Sequence, residues 1–134
     1  MAYEKTLVLI KPDAVKRKLI GTLLKMYEEK GLEVEQIKSV FATEEQLARH
    51  YQAHIGKDFY PRLMAFMKSG MMIAIVLSGE QAIEIVRGVN GATDYLKADM
   101  GSIRGRFANG YTENCVHGSD SLESAQTEIE IWFN

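Results

Sequence analysis

The chain has 134 residues, of which 46% are hydrophobic and 25% are charged. These proportions are typical of a soluble globular protein and exclude a disordered tail, a collagen-like repeat and a disulfide-rich mini-protein. Lys and Arg total 16 against 18 Asp and Glu, which disfavours nucleic acid as a partner because nucleic-acid binders normally have a basic excess. With one cysteine and no secretory or membrane-spanning apolar segment, we predict a cytoplasmic protein with one domain, residues 1–134.

The first third of the sequence predicts two strands with a helix between them. Residues 6–10 are an apolar, partly β-branched run typical of a central strand. Asp13 is the predicted N-cap of a helix that ends at Gly31, because apolar residues recur along it at fourfold spacing. Residues 32–42 predict a second strand. Its broken alternation at Ile37 indicates either a bulge or burial on both faces.

The middle of the sequence predicts three helices and a third strand. Residues 43–53 begin with a Thr-Glu-Glu-Gln capping box and predict a helix. Residues 61–68 predict a second, short helix, and residues 71–77 form an apolar strand. The Ser-Gly-Glu-Gln sequence that follows is another capping-box pattern, so we predict a helix over residues 78–89.

The last third of the sequence contains a long loop before the final strand and helix. Residues 90–110 include four glycines and show no regular spacing of apolar residues, so we predict a loop. A loop of this length in a compact domain is usually functional. Residues 114–117 predict a fourth strand. Residues 121–132 predict a helix with Leu122, Ala125, Ile129 and Trp132 on one face. The order of elements predicts an α+β sandwich in which helices pack on one sheet.

The densest polar cluster is Asn-Cys-Val-His-Gly-Ser-Asp-Ser at residues 114–121. At neutral pH a histidine is mostly an uncharged imidazole with a free lone pair, so His117 is a candidate nucleophile or proton shuttle. The free N–H groups at the start of the following helix can bind an anion. Ser-Asp-Ser before a helix is also an ordinary capping sequence, and the cluster alone leaves both interpretations open.

The pattern Asn-x-x-His-Gly-Ser-Asp-Ser resembles the active-site signature of nucleoside diphosphate kinases. Residues 10–15 (IKPDAV) resemble the family's opening strand and helix start, residues 101–105 (GSIRG) its arginine segment, and residues 123–133 its closing helix. These blocks follow the family's order from about residue 4 to residue 133. With the element order, the resemblance predicts a ferredoxin-like α/β sandwich of the α+β class, with a four-stranded antiparallel sheet covered by helices.

The resemblance implies an enzyme with ping-pong kinetics. His117 would take the γ-phosphoryl group from a nucleoside triphosphate, mainly ATP, and pass it to a nucleoside diphosphate. Mg²⁺ would arrive with the nucleotide, held by its phosphates, with Asp120 acting on the ion through water and no direct protein ligand. The family implies a homo-oligomer, either a hexamer or a tetramer, and neither nucleic acid nor a membrane is expected as a partner.

The resemblance also assigns roles to individual residues. Catalytic roles next to His117 fall to Lys11, which would stabilise the transferring phosphoryl group, to Tyr51 as a hydrogen-bond donor, and to Glu128 and Ser119, which would orient the imidazole. The nucleotide would be bound by Lys11, Phe59, Arg87, Thr93, Arg104 and Asn114. Among these, Phe59 would stack on the base and Asn114 would bind the ribose. Tyr111 occupies a usually aliphatic position beside the base, and His50 and His54 receive no role.

The sequence departs from the family pattern in the loop at residues 90–110. Asp94-Tyr95 stands where Asn-Pro is usual, and Met100 stands where Pro is usual. Losing two fixed φ angles predicts lower stability or a weaker subunit interface rather than lost chemistry. Two other functions remain open at this stage. A small-molecule binding module would not need His117, and a protein phosphocarrier would not be discharged by nucleoside diphosphates.

Overall fold

The computed structural model describes residues 3–134, which form one antiparallel sheet in the strand order β2-β3-β1-β4 with helices on both faces. The strands are β1 (Tyr3–Ile10), β2 (Glu33–Val40), β3 (Met72–Glu80) and β4 (Val116–Gly118). The helices are α1 (Pro12–Lys16), α2 (Ile20–Glu29), α3 (Glu44–His50), α4 (Tyr60–Met67), α5 (Ala82–Asn90), α6 (Ile103–Phe107) and α7 (Leu122–Phe133). Short 3₁₀ turns cover Gln52–His54 and Tyr95–Lys97. The predicted α+β sandwich is confirmed.

The two central strands, β1 and β3, are buried on both faces of the sheet. Successive side chains of a strand point to opposite faces, so Val8 and Ile10 enter the core formed with α2 and α5. Leu7 and Leu9 enter the other core, formed with α3, α4 and α7. His117 of β4 is paired with Leu9. Its side chain therefore lies on the sheet face that α3 and α7 cover.

The helix predicted from Asp13 to Gly31 is interrupted. Lys18 has a left-handed backbone with φ of 62°, and the interruption separates α1 from α2. The prediction that Asp13 is the N-cap is also wrong, because Lys11 occupies that position. Asp13 lies in the first turn, where its Oδ2 accepts a hydrogen bond from the backbone N–H of Cys115 at 3.1 Å.

The edge strand β2 contains the bulge that its sequence predicted. The pairing register with β3 shifts between Val34 and Gln36. Most of the strand is exposed rather than buried on both faces, so the bulge is the correct alternative. A bulge inserts one extra residue and breaks the side-chain alternation.

One of the two predicted capping boxes forms. Thr43 accepts from the backbone N–H of Gln46, whose side chain in turn accepts from the backbone N–H of Thr43. The second box, at residues 78–81, is wrong because β3 continues to Glu80. Ser78 lies in that strand and donates a hydrogen bond to Glu35.

The closing helix α7 buries a slightly different face from the one predicted. Ala125 and Trp132 are buried as expected, but Leu122 is 52% exposed and Ile131 takes its place in the core. Across residues 3–134, no helix is long and apolar enough to cross a membrane.

Candidate active site

A cavity of about 980 Å³ opens beside the ends of β1 and β4. Its lining includes most of the residues that the sequence assigned to catalysis or nucleotide binding: Lys11, Tyr51, Phe59, Arg87, Thr93, Arg104, Asn114, His117 and Asp120. Ser119 and Glu128 lie behind His117 rather than on the cavity wall. The fold thus gathers residues separated by more than a hundred positions into one site.

His117 is held in one tautomer by a carboxylate. Its Nε2 lies 2.7 Å from Oε1 of Glu128, and Oγ of the fully buried Ser119 donates to the same oxygen at 2.7 Å. A carboxylate accepts hydrogen bonds, so the proton of the neutral imidazole is on Nε2 and the lone pair is on Nδ1. This arrangement leaves Nδ1 of His117 as the ring nitrogen that is chemically able to act as a nucleophile.

Lys11 is a buried cation at the end of β1. Its Nζ donates to Oδ1 of Asn114 at 2.8 Å, and Nδ2 of Asn114 donates to the backbone carbonyl of Tyr111 at 3.0 Å. Burial, and secondly the charge of Arg104, lowers the pKa of Lys11 to about 8. A lysine that is poorly solvated at rest gains most from a phosphate beside it, since an anion restores the interaction that burial removed.

The other cations of the cavity differ in how they are held. Arg104 is largely buried and donates through one terminal nitrogen to the carbonyl of Gly91 at 2.8 Å and through the other to the carbonyl of Val116 at 2.7 Å. Arg87, on α5, is exposed at the cavity wall, as is Thr93. A buried, hydrogen-bonded guanidinium and an exposed one on the same wall suit an extended chain of phosphates.

The mouth of the cavity carries aromatic side chains. Phe59 is 48% exposed and its ring lies 5.4 Å from that of His54, which also lines the cavity. Tyr111 is likewise exposed and packs edge-on against Tyr95 at 5.4 Å. Exposed rings at a cavity mouth are suited to stacking on a planar base.

A family model for "Nucleoside diphosphate kinase" matches residues 4–134. The chain belongs to the nucleoside diphosphate kinase family. It is 52% identical over 130 residues to the nucleoside diphosphate kinase of Thermoanaerobacter sp. (strain X514), covering 97% of this chain and 96% of that protein. It is 47% identical to the enzyme of Clostridium perfringens (strain 13 / Type A), covering 99% and 93%. The enzyme class predicted from the sequence is confirmed.

Solved structures of the nucleoside diphosphate kinase family have the same fold. The apo enzyme from Encephalitozoon cuniculi superposes with a TM-score of 0.95 at 38% identity, covering 97% of this chain and 88% of that one. The Aquifex aeolicus enzyme gives a TM-score of 0.94 at 38% identity, covering 99% and 96%.

Sequence reasoning missed two histidines that the structure places at this kinase site. His54 lines the cavity, and the His50 ring lies 4.4 Å from the ring of His117. No local sequence motif points to His50. Trp132 could have indicated it, because a buried indole N–H needs a hydrogen-bond acceptor and a neutral imidazole can be that acceptor.

His50, His117 and Glu128 are also grouped closely enough to be considered as metal ligands. One ligand atom from each lies within 4.8 Å of the others. Two imidazoles are a poor donor set for Mg²⁺, which prefers oxygen ligands. In this cluster the glutamate is already hydrogen-bonded to both His117 and Ser119. His50 lies against the His117 ring without a hydrogen bond to either His117 or Glu128.

Proposed function

We propose that this chain transfers the γ-phosphoryl group of a nucleoside triphosphate, mainly ATP, to a nucleoside diphosphate through a phosphohistidine on His117. The Nδ1 lone pair attacks the γ-phosphorus, and the bond from that phosphorus to the bridging oxygen breaks with its electrons left on the departing diphosphate. Glu128 retains the hydrogen bond to Nε2 and balances the positive charge that the ring gains. The second half-reaction reverses these steps with a different nucleoside diphosphate.

The observation that carries this proposal is the arrangement of Glu128, Ser119 and His117. It fixes the nucleophilic nitrogen as Nδ1 while the ring lies on the wall of a cavity large enough for a nucleotide. A binding module would have no need for a histidine whose tautomer is fixed by a partly buried carboxylate.

The remaining cavity residues supply charge and orientation in this proposal. Lys11 contacts the transferring phosphoryl group, and Arg87, Thr93 and Arg104 bind the other phosphates. Phe59 stacks on the base. Tyr51 acts as a donor, which agrees with its buried Oη having no hydrogen-bond partner among residues 3–134. Burial raises the pKa of Tyr51, so that hydroxyl keeps its proton.

Asn114 must exchange a partner to bind the ribose hydroxyls as we propose. Its side-chain oxygen is used by Lys11 and its nitrogen by the carbonyl of Tyr111. When the phosphates draw the ammonium of Lys11 toward them, Oδ1 of Asn114 becomes free to accept from a ribose hydroxyl. Phosphate and ribose binding are thereby coupled through one hydrogen bond.

Mg²⁺ enters this proposal as part of the nucleotide substrate. The ion bridges phosphate oxygens and keeps several waters, so a dedicated carboxylate cage is unnecessary. Asp120 is an exposed carboxylate on the cavity wall and lies three residues after His117 in the sequence. Hydrogen bonding from Ser124 holds the pKa of Asp120 below its usual value, so its charge is available to water molecules around the ion.

We further propose that residues 1–134 act as one cytoplasmic domain that assembles into a hexamer or a tetramer. Surface apolar side chains support assembly, since Phe41, Leu96 and Met100 are each more than two-thirds exposed in the single chain. The single cysteine is buried and free, which agrees with a reducing compartment.

Mass spectrometry of the intact chain tests the proposed reaction. After ATP and Mg²⁺ are added, we expect an acid-labile phosphate on His117 that disappears when GDP is added, as GTP forms. The His117→Ala variant should lose both signals while still binding ADP. A wild-type chain that forms neither phosphoenzyme nor GTP would contradict the proposal, and a phosphohistidine that GDP cannot discharge would indicate a phosphocarrier instead.

A further inference from the structure

His50 lies between the nucleophile and the closing helix. Its ring is 4.4 Å from that of His117 and 5.7 Å from that of Trp132, in edge-to-face arrangements with interplanar angles of 72° and 69°. The side chain projects from the last turn of α3 into the space between β4 and α7. It therefore forms one wall of the pocket that holds the His117 ring.

A hydrogen bond from Trp132 fixes the protonation state of His50. Nε1 of Trp132 lies 3.0 Å from Nδ1 of His50, and an indole nitrogen can donate but cannot accept. Nδ1 must therefore carry the lone pair, and the single proton of the neutral ring is on Nε2. Protonating Nδ1 would place two N–H groups against each other, so the cationic form of His50 would lose this hydrogen bond.

We propose that His50 is a positioning residue for the kinase reaction: its neutral ring, held in one tautomer by Trp132, restrains the His117 ring with Nδ1 toward the cavity. This proposal rests on the phosphohistidine function proposed above. The restraint differs from that of Glu128, which fixes one atom of His117. An edge-to-face neighbour additionally restricts rotation of the ring about its side-chain bonds.

The neutrality of His50 matters because its neighbours are mostly cationic or become so. The charged and titratable groups facing it are His117 on β4, Lys11 at the end of β1, Tyr51 and His54 after α3, and Glu128 on α7. Burial and these neighbouring histidines and lysine lower the pKa of His50 well below 6.5. A cation at this position would oppose the positive charge that the His117 ring gains on phosphorylation.

The hydrogen bond from Trp132 restrains His50 in addition to the contacts that its ring makes with neighbouring rings. His50 and Glu128 also line a second cavity, of about 540 Å³, whose lining does not include His117. That space gives the His50 ring room to turn away if Trp132 no longer holds it. Nε2 of His50 has no hydrogen-bond partner among residues 3–134, so Trp132 provides the one hydrogen bond found for this ring.

Single-turnover kinetics of two variants test the proposal. His50→Asn keeps an acceptor for Trp132 but removes the ring, and Trp132→Phe keeps the ring but releases it. We expect each to slow phosphoenzyme formation by about tenfold to a hundredfold, as expected for a displaced reacting group, with an unchanged dissociation constant for ADP. Trp132→Phe should also acquire a steeper loss of rate at acid pH, because His50 becomes free to take a proton. Arg49→Gln, on the same helix, is the control and should retain the wild-type rate and pH profile.

If a variant does not fold, nuclear magnetic resonance of the wild-type chain tests the proposal by measuring the protonation of the two His50 ring nitrogens. The ¹⁵N shifts of His50 should show protonated Nε2 and bare Nδ1 at neutral pH, without titration around pH 6.5, the range in which an ordinary histidine titrates. A His50 that titrates in that range, or a His50→Asn variant that phosphorylates at the wild-type rate with the wild-type pH profile, would overturn the proposal. A wild-type chain that forms no phosphoenzyme would instead remove the proposed function, while the shifts would still report the His50 tautomer.

Discussion

At the residue scale, the buried ammonium of Lys11 predicts where the enzyme loses activity in alkali. Burial and Arg104 lower its pKa to about 8, so the free enzyme loses this cation as the pH rises through that value. We expect kcat/KM for ATP to fall above about pH 8, and kcat to fall only at higher pH, because bound phosphates favour the charged form. Steady-state kinetics as a function of pH measure the alkaline decrease of kcat/KM and that of kcat.

A control separates Lys11 from Cys115, another buried group near it that could titrate in alkali. Burial raises the pKa of the Cys115 thiol to about 12, so Cys115→Ala should leave the alkaline limb in place. A flat kcat/KM profile between about pH 7 and 9.5 would contradict the assignment to Lys11. The same pKa shift makes charged Lys11 a cost to folding below pH 8. That cost declines between pH 8 and 10.5, where only the unfolded chain retains the proton.

We predict that replacing Ser119 lowers both the stability and the activity of the enzyme. The buried Oγ of Ser119 donates to Glu128 and accepts from the backbone N–H of Leu7 at 3.3 Å. Ser119→Ala leaves that N–H unpaired and the carboxylate less restrained, so we expect a loss of about 1–3 kcal/mol in the free energy of unfolding. Phosphoenzyme formation should slow as well. Denaturant unfolding and single-turnover kinetics measure the two effects.

The neighbouring cap residue Ser121 offers a matched control for Ser119. Its Oγ accepts from the backbone N–H of Ser124 at the start of α7, on an exposed surface. Ser121→Ala should cost about 1 kcal/mol of stability, as a lost N-cap does, but should not change the phosphorylation rate. If both variants slowed the reaction equally, the effect would come from general destabilisation rather than from the network around Glu128.

The residues of the site were predictable from the sequence to very different extents. His117 and Ser119 stand in one short polar cluster, and the family resemblance extends the site to Lys11 and Glu128. His50 was missed because its proposed role depends on Trp132, 82 positions away, and on a ring contact that no local pattern encodes. Contacts between distant side chains are the part of a site that sequence patterns leave open.

At the element scale, the same capping-box pattern succeeds at residues 43–46 and fails at residues 78–81. The first begins an exposed helix, where the local hydrogen bonds of Thr43 have no competitor. The second lies in β3, where pairing with β1 and β2 uses the backbone of Ser78. Sheet pairing therefore overrides a local cap, and the N-cap of α5 moves to Gln81, which has a left-handed φ of 53°. The order of apolar runs still predicted the correct number of strands.

We predict that Gly105, in α6, does not tolerate substitution by a larger residue. A Cβ on Gly105 would lie 1.9 Å from the backbone oxygen of Asp99, so Gly105→Ala must displace either α6 or the turn before it. We expect a loss of about 1–3 kcal/mol in the free energy of unfolding, as for overpacking elsewhere. The KM for ATP should rise, because Arg104 is the adjacent residue. Thermal unfolding and steady-state kinetics measure both.

Gly21 in α2 provides a control for Gly105, because an alanine side chain at Gly21 would meet no neighbouring atom. It is exposed, and no atom lies within 4 Å of the position that an alanine Cβ would occupy there. Gly21→Ala should therefore raise the free energy of unfolding by about 0.5 kcal/mol through helix propensity. The KM for ATP should stay at the wild-type value. Equal destabilisation by both substitutions would show that the close contact with Asp99 does not control Gly105.

At the scale of the whole molecule, the loop between α5 and α6 links stability to the site. Its backbone supplies the carbonyl of Gly91 that Arg104 binds, and it carries Tyr95 against Tyr111 at the cavity mouth. The same loop exposes Leu96 and Met100, which are available to a neighbouring subunit in the proposed assembly. Loosening this segment would therefore affect folding, assembly and nucleotide binding together.

The turn that contains Met100 predicts that restoring a proline stabilises the chain. The backbone N–H of Ser102 donates to the carbonyl of Asp99 at 2.9 Å, which makes Met100 the second residue of a β-turn, the position that proline favours. Its side chain is 79% exposed, so little packing is lost. Met100→Pro should raise the free energy of unfolding by about 0.4–1 kcal/mol by restricting the unfolded chain, an increase of roughly 2–4 °C in Tm.

The Tyr95→Pro variant also restricts the unfolded chain, but it loses a packing contact that Met100→Pro keeps. Comparing the two variants separates the entropic gain in stability from the loss of packing. Asp94, which precedes Tyr95, is extended, with φ of −74° and ψ of 103°, a conformation that a following proline accepts. The substitution also removes the ring that packs against Tyr111, a contact worth about 0.5–1.5 kcal/mol, so the gain should be cancelled or reversed. Calorimetry at several protein concentrations measures the two variants and reports subunit dissociation. A Met100→Pro variant that melts at or below the wild-type temperature would show that the missing proline carries no cost in stability.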